Sequence, residues 1–163
     1  NMGFGLPSRT TIFDYAGVPA YQRWTNQGKF DGAMLSSQER KLREYYRRVL
    51  VISASQIAMQ GEYVDLHKVN IALNGDYDET LFAYSRFHPL QQMVVVSNFA
   101  QTPKRFELTV PLDVIEQWGV NDGRYQMIDL LTGKKIDFVV ENQKGHISMG
   151  LGSLQSMVLS LAQ

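Results

Sequence analysis

"TLFAYSRFHPLQQMVVVSNFA" (Thr80–Ala100) sets the architecture. Two runs rich in aromatic and β-branched residues, Thr80–His88 and Gln92–Ala100, flank the turn-forming Pro89-Leu90-Gln91. Such a pair reads as a β-hairpin. The same grammar continues toward the C-terminus. "RFELTVPL" (Arg105–Leu112) alternates, with Phe106, Leu108 and Val110 on one face. "RYQMIDLL" (Arg124–Leu131) and "KKIDFVV" (Lys134–Val140) flank a Thr132-Gly133 turn, and "HISMGL" (His146–Leu151) and "SLQSMVLSLA" (Ser153–Ala162) close the series. "DVIEQWGV" (Asp113–Val120) reads as a short helical turn between strands. Strands at roughly 8–12-residue spacing predict a mainly β fold, an antiparallel Greek-key β-sandwich of about seven to eight strands. Its expected core is Phe82, Tyr84, Val94, Val96, Phe106, Leu108, Ile128, Phe138, Ile147, Val158 and Leu159. Neighbouring residues of a strand face opposite ways, so Val158 and Leu159 can both face inward only at a bulge or a strand end.

Toward the N-terminus the period changes. In "SSQERKLREYYRRVLVIS" (Ser36–Ser53), Leu42, Tyr45, Tyr46, Val49 and Leu50 recur at three- and four-residue steps. That spacing predicts an amphipathic helix over about Ser37–Ser53. Ser36 and Glu39 stand three apart, as a capping box requires. Residues 1–35 are an irregular stretch, broken by Gly3, Gly5, Pro7, Gly17, Pro19, Gly28 and Gly32. A long irregular segment is usually a functional loop or part of a larger assembly. The expected division is 1–60 (loop and helix), 61–80 (connector) and 81–163 (β domain).

The composition narrows the function. Of 163 residues, 16 are basic and 16 acidic, so the formal net charge is zero. Nucleic-acid and anionic-membrane binders usually carry a basic surplus, and neither partner is expected here. With no cysteine, disulfides and thiol catalysis are excluded. No apolar run approaches the ~20 residues of a membrane-spanning helix, and no basic-then-apolar leader is present. The compartment is left open.

No motif assembles a reaction centre. His67, His88 and His146 are far apart and lack metal-ligand spacing. Neither a phosphate-binding glycine loop nor a nucleophile elbow occurs. Glycoside hydrolysis needs two carboxyls flanking the scissile bond. Asp14, Asp31, Glu62, Asp65, Asp76 and Asp78 supply carboxyls without a context that pairs them, and Asp14 and Asp31 fit turn-capping roles. The candidate ligand contacts are aromatic, because a flat ring stacks on the apolar face of a pyranose. Tyr21, Trp24 and Phe30 cluster in the opening stretch, and Trp118 and Tyr125 flank "GVNDGR" (Gly119–Arg124). Large aromatic rings more often serve the core or staple elements together.

"RTTIFDYAGVPAYQRWTNQGKFDG" (Arg9–Gly32), followed by "LSSQERKLREYYRRVL" (Leu35–Leu50), resembles the end of the catalytic barrel in glycoside hydrolase family 13, the α-amylase family. It is similar to the segment around the last barrel strand and its outer helix. "LFAYSRFHPLQQMVVVSNFA" (Leu81–Ala100) is similar to the opening hairpin of that family's all-β C-terminal domain, and the order of parts matches. The resemblance implies a parent enzyme that hydrolyses or transglycosylates α-glucans, such as starch and maltooligosaccharides, by a retaining mechanism. The family's three catalytic carboxylates sit on earlier barrel strands, and no position here matches them. A barrel needs eight strands and roughly 250 residues. The implied role is a non-catalytic C-terminal fragment bracing that barrel, with no catalytic residue and no cofactor of its own. A structural calcium in the parent is compatible with the resemblance, without ligands readable here. The implied partners are the rest of the barrel and α-glucan; the apolar helix face, left without its barrel partner, is expected to pair with a second copy. The alternatives are an independent carbohydrate-binding β-sandwich module and a protein-interaction domain.

Overall fold

The computed structural model describes residues 19–73 and 75–162. The chain forms two compact units, residues 1–50 and 51–163.

In the first unit, helix α1 (Pro19–Thr25) precedes a tight loop and helix α2 (Ser37–Ser55), whose last turn belongs to the second unit. The capping box forms as the sequence predicts. Glu39 N donates to Ser36 Oγ at 3.2 Å, and Ser36 N donates to Glu39 Oε2 at 2.8 Å. The periodic face of α2 is largely in water, with Leu42, Tyr45, Tyr46 and Leu50 exposed. No helix among the described residues is long and apolar enough to cross a membrane.

The second unit is mainly β. A 3₁₀ turn, η1 (Ile57–Gln60), leads into β1 (Glu62–Asp65) and helix α3 (His67–Leu73). The hairpin β2 (Leu81–His88) and β3 (Gln91–Asn98) follows, then β4 (Lys104–Val110) and helix α4 (Leu112–Trp118). Strands β5 (Gly123–Asp129), β6 (Lys135–Glu141), β7 (Lys144–Leu151) and β8 (Ser156–Leu161) complete the fold. All pairings are antiparallel, in the order β1-β2-β3-β8-β5-β6-β7-β4. Strand β4 returns beside β7, past the β5-β6-β7 meander, which makes a Greek key. The expected antiparallel β domain is thus observed, with its layers drawn from one curled sheet.

Turn chemistry fixes the hairpins. Asn142 and Gln143 both have positive φ, the backbone of a two-residue turn that matches strand twist. Asp122 accepts from both of their N–H groups at 3.0 and 2.9 Å. Gly119, in the left-handed region, ends α4.

One core joins the strands. Leu81, Val94, Leu108, Met127, Phe138, Ile147 and Leu159 are fully buried in it. Eight of the eleven expected core residues are buried, and Phe82, Tyr84 and Ile128 are not. Their strands run one residue out of the expected phase. Leu81, Ala83 and Ser85 of β2 point inward, as do Met127 and Asp129 of β5. A large ring outranks alanine or serine in hydrophobicity, yet here the rings take the outer face. Val158 and Leu159 are both buried, on opposite faces, because β8 lies between β3 and β5.

Helix α3 and Leu66, the residue before it, link β2 to the edge strand β4. Leu66 N donates to Ala83 O of β2 at 3.1 Å. One turn on, the fully buried Asn70 pairs with the β4 backbone: its Nδ2 donates to Thr109 O at 2.9 Å and Thr109 N donates to its Oδ1 at 2.7 Å.

Candidate functional site

Within the first unit, α1 presents Tyr21 and Trp24, 45% and 43% exposed, and the loop presents Phe30, 51% exposed. The loop is sharply bent: Asn26, Gln27, Gly28, Phe30 and Gly32 all have positive φ. A phenylalanine in that region is sterically disfavoured and is held there by its surroundings. Arg43 of α2 does part of the holding. Its Nη2 donates to Phe30 O at 3.1 Å, while its guanidinium lies 5.3 Å from the Trp24 ring centroid. Asp31 accepts from Asn26 Nδ2 at 2.8 Å and from Ala33 N at 2.9 Å. That is the turn-capping role its context predicts, and these bonds lower its pKa. Asp14 lies outside the described residues.

Arg23 and Glu39 clasp α1 to α2. Arg23 Nη2 and Nε reach Glu39 Oε1 at 2.5 and 3.1 Å. The same carboxylate serves the capping box, and the Arg23 bond, then the Ser36 N–H, pulls its pKa down to about 2. Glu44, between Arg47 and Arg48, is also held at about 2. A general acid needs the opposite displacement. What the clasp offers instead is a rigid platform. Tyr21, Gln22, Thr25, Gln27 and Met34 line a hollow of about 370 Å³. Aromatic, amide and hydroxyl groups around a shallow hollow are the chemistry that meets a sugar ring and its hydroxyls.

The second predicted pair is placed differently. Trp118 is 5% exposed and packs edge-on against Phe138, with ring centroids 6.0 Å apart. Tyr125 is partly buried against the same ring at 6.2 Å, and its hydroxyl donates to Asn121 O at 2.9 Å. The Trp118 ring serves the core and offers no face to a ligand. The sequence reading passed over a third aromatic group. Tyr63, Tyr84 and Phe82 form a row on the outer sheet face, with centroids 5.4 and 5.9 Å apart. Its only sequence signal is the i, i+2 spacing in "FAY" (Phe82–Tyr84). Among the described residues, no three His, Asp or Glu side chains gather as metal ligands would, and none is assigned to a calcium of the parent.

No family model and no curated protein matches the chain. Solved structures do. AmyP in complex with maltotriose aligns over 96% of this chain and 28% of its own, at 18% identity and a TM-score of 0.57. A maltogenic α-amylase, AmyB, from Thermotoga neapolitana aligns over 80% of this chain and 27% of its own, at 12% identity and 0.57. An Anoxybacillus α-amylase aligns over 82% and 25%, at 12% identity and 0.53. The chain spans only about a quarter of the length of these structures. The fold of this chain is that of one portion of α-amylase-type glycoside hydrolases, the family named on sequence grounds.

Proposed function

We propose that this chain is the non-catalytic C-terminal part of an α-amylase-like glycoside hydrolase, and that its β domain braces the catalytic barrel. The parent hydrolyses or transglycosylates α-glucans. The observation that carries this reading is the asymmetry of coverage. Most of this chain finds a counterpart in amylase structures, and most of each amylase has no counterpart here. The test is to clone the gene around residues 1–163 and assay the full product on starch and maltooligosaccharides beside the isolated chain. Reducing sugar released by the full product alone is the expected result. A full product that lacks an upstream barrel, or is inert on every α-glucan, refutes the reading.

A second reading has its own observation. Tyr21 lines the hollow and Trp24, on the same helix, exposes ring surface, while Arg43 ties Trp24 to the Phe30 backbone. This arrangement supports direct sugar contact by Tyr21, Trp24 and Phe30. Calorimetric titration of the isolated chain with maltoheptaose tests it. Saturable binding lost in Trp24→Ala is expected, and no heat above dilution refutes it.

A further inference from the structure

The turn between β6 and β7 holds a side chain where glycine would be relaxed. Asn142 and Gln143 have φ of 51° and 60°. A two-residue turn of this kind favours glycine at its second position, because a Cβ is disfavoured in the left-handed region. Gln143 occupies that position nonetheless, and the Asp122 carboxylate pins it by accepting its N–H at 2.9 Å. Backbone strain that the surroundings hold in place gathers at ligand clamps and other working sites. Gln143 lines a hollow of about 440 Å³, within the range of roughly 300–1,000 Å³ that small-molecule sites occupy. The buried Ile115 and the partly buried Val120 supply its apolar surface, and Glu116, Asn121 and Asp122 its polar surface.

Three segments meet at this hollow, and each is tied down. At the end of α4, Gly119 N donates to Glu116 O at 3.1 Å and Val120 N to Ile115 O at 3.4 Å. The Tyr125 hydroxyl fixes Asn121 by donating to its carbonyl. Asp122 holds the β6–β7 turn through the N–H groups of Asn142 and Gln143. The backbone is thus preorganised, while among the described residues the side chains of Glu116, Asn121 and Gln143 keep their polar atoms unpaired. One carboxylate and two amides, each amide both donor and acceptor, stand around aliphatic surface. That set fits a neutral polyhydroxy ring: neighbouring hydroxyls donate to the carboxylate and pair with the amides, and the C–H face rests on aliphatic side chain. The carboxylates of Glu116 and Asp122 repel an anion. A metal ion would use oxygens only, and among the described residues no three His, Asp or Glu side chains gather to hold one. We propose that this hollow is a glycan site of the β domain, holding one or two glucosyl units of an α-glucan. The α-glucan assignment rests on the function proposed above, whereas the choice of a neutral sugar rests on the hollow itself.

The test uses Trp24→Phe, which leaves Trp118, the neighbour of Gly119, as the sole tryptophan. Maltotriose should shift the Trp118 fluorescence of this variant saturably, with matching heat in calorimetry. Adding Gln143→Gly should weaken binding about tenfold yet hold or raise the melting temperature, because glycine suits the turn. Glu116→Gln and Asn121→Ala, both at exposed positions, should weaken binding to a similar degree without loss of stability. No saturable response to maltotriose by either method overturns the inference. Full affinity in Gln143→Gly overturns it too, as does a clear fall in that variant's melting temperature, which would give the side chain to the turn alone. Saturation by calcium chloride or putrescine where maltotriose is silent would make the hollow a cation site and overturn it as well. Silence toward maltotriose in a chain whose gene encodes a barrel active on starch sinks this inference alone. A gene without a barrel sinks the function proposed above, while maltotriose binding that Gln143→Gly removes would still support the hollow.

Discussion

The side-chain amide of Asn70 takes the place of a neighbouring strand for Thr109. Strand β4 ends the sheet, and the N–H and C=O of Thr109 meet the Asn70 amide. Asn70 satisfies both, and also donates to Leu66 O at 2.8 Å. All of this is buried, where an unmatched polar group costs about 1–3 kcal/mol. Asn70→Ala is therefore expected to destabilise the chain by about 2–4 kcal/mol, read by urea unfolding. A loss below about 0.5 kcal/mol, the level of an ordinary surface change, would show that the contact is dispensable.

Ser85 shows the reverse case. It is fully buried on the inner face of β2, and among the described residues its hydroxyl has no hydrogen-bond partner. Ser85→Ala removes a desolvated polar group and leaves the packing nearly unchanged. It should hold or raise stability, by up to about 1 kcal/mol. A clear drop in melting temperature would reveal a partner for the hydroxyl, such as a buried water.

Acid should open the α1–α2 clasp. The Glu39 carboxyl is held at about 2 against an ordinary 4.5, first by Arg23 and then by Ser36. A carboxylate depressed in the folded state contributes stability above its unfolded pKa and loses it as pH falls through the folded value. The clasp should loosen between pH 4.5 and about 2. With Trp118→Phe removing the buried indole, Trp24 fluorescence should report a transition in that window. Glu39→Gln should abolish it and Glu44→Gln should leave it. A Trp24 signal that stays flat in the parent variant down to pH 2 would contradict the linkage.

How far the sequence alone reaches is clearest at β2. The strand, its hairpin and the mainly β class are legible from "TLFAYSRFHPLQQMVVVSNFA", because β-branched and aromatic runs around Pro89 admit little else. The phase of β2 is not legible. "LFAYSRF" alternates large rings with small residues, and hydrophobicity assigns the rings to the core. The rings are outside because the sheet has two apolar faces, and a one-residue slip exchanges them without changing the local pattern. At the candidate site, the capping box was readable as Ser36-x-x-Glu39. The use of Glu39 as the partner of Arg23 was not, since that contact spans sixteen positions. The burial of Trp118 is not legible for a related reason: the order of residues does not say which side of α4 meets Phe138.

The isolated chain should release no reducing sugar from starch, maltooligosaccharides or pullulan. Retaining hydrolysis holds two carboxyls about 5–5.5 Å apart across the scissile bond, and Asp31 is committed to its turn. Activity of a pure sample that disappears in Asp31→Asn or Asp14→Asn would reverse this expectation.

Self-association of the isolated chain is expected through α2. Leu42, Tyr45, Tyr46 and Leu50 are exposed, and burying a large apolar side chain is worth roughly 1.5–3 kcal/mol. Sedimentation equilibrium should show concentration-dependent dimers that the Tyr45→Glu/Val49→Glu double variant dissolves. A wild type that stays monomeric at high micromolar concentration would count against this face.

The position of β8 bears on how the protein is made. It is the last strand of the sheet along the chain, yet it lies between β3 and β5. Until residues 156–161 have left the ribosome, β1-β2-β3 and β5-β6-β7-β4 share no strand-to-strand hydrogen bonds, and β3 and β5 each present an unpaired edge. The nascent β domain must therefore wait in two incomplete halves, a state open to wrong pairing and to chaperone capture. A stop codon before Ser156 should leave an insoluble product, even though seven of the eight strands have been synthesised.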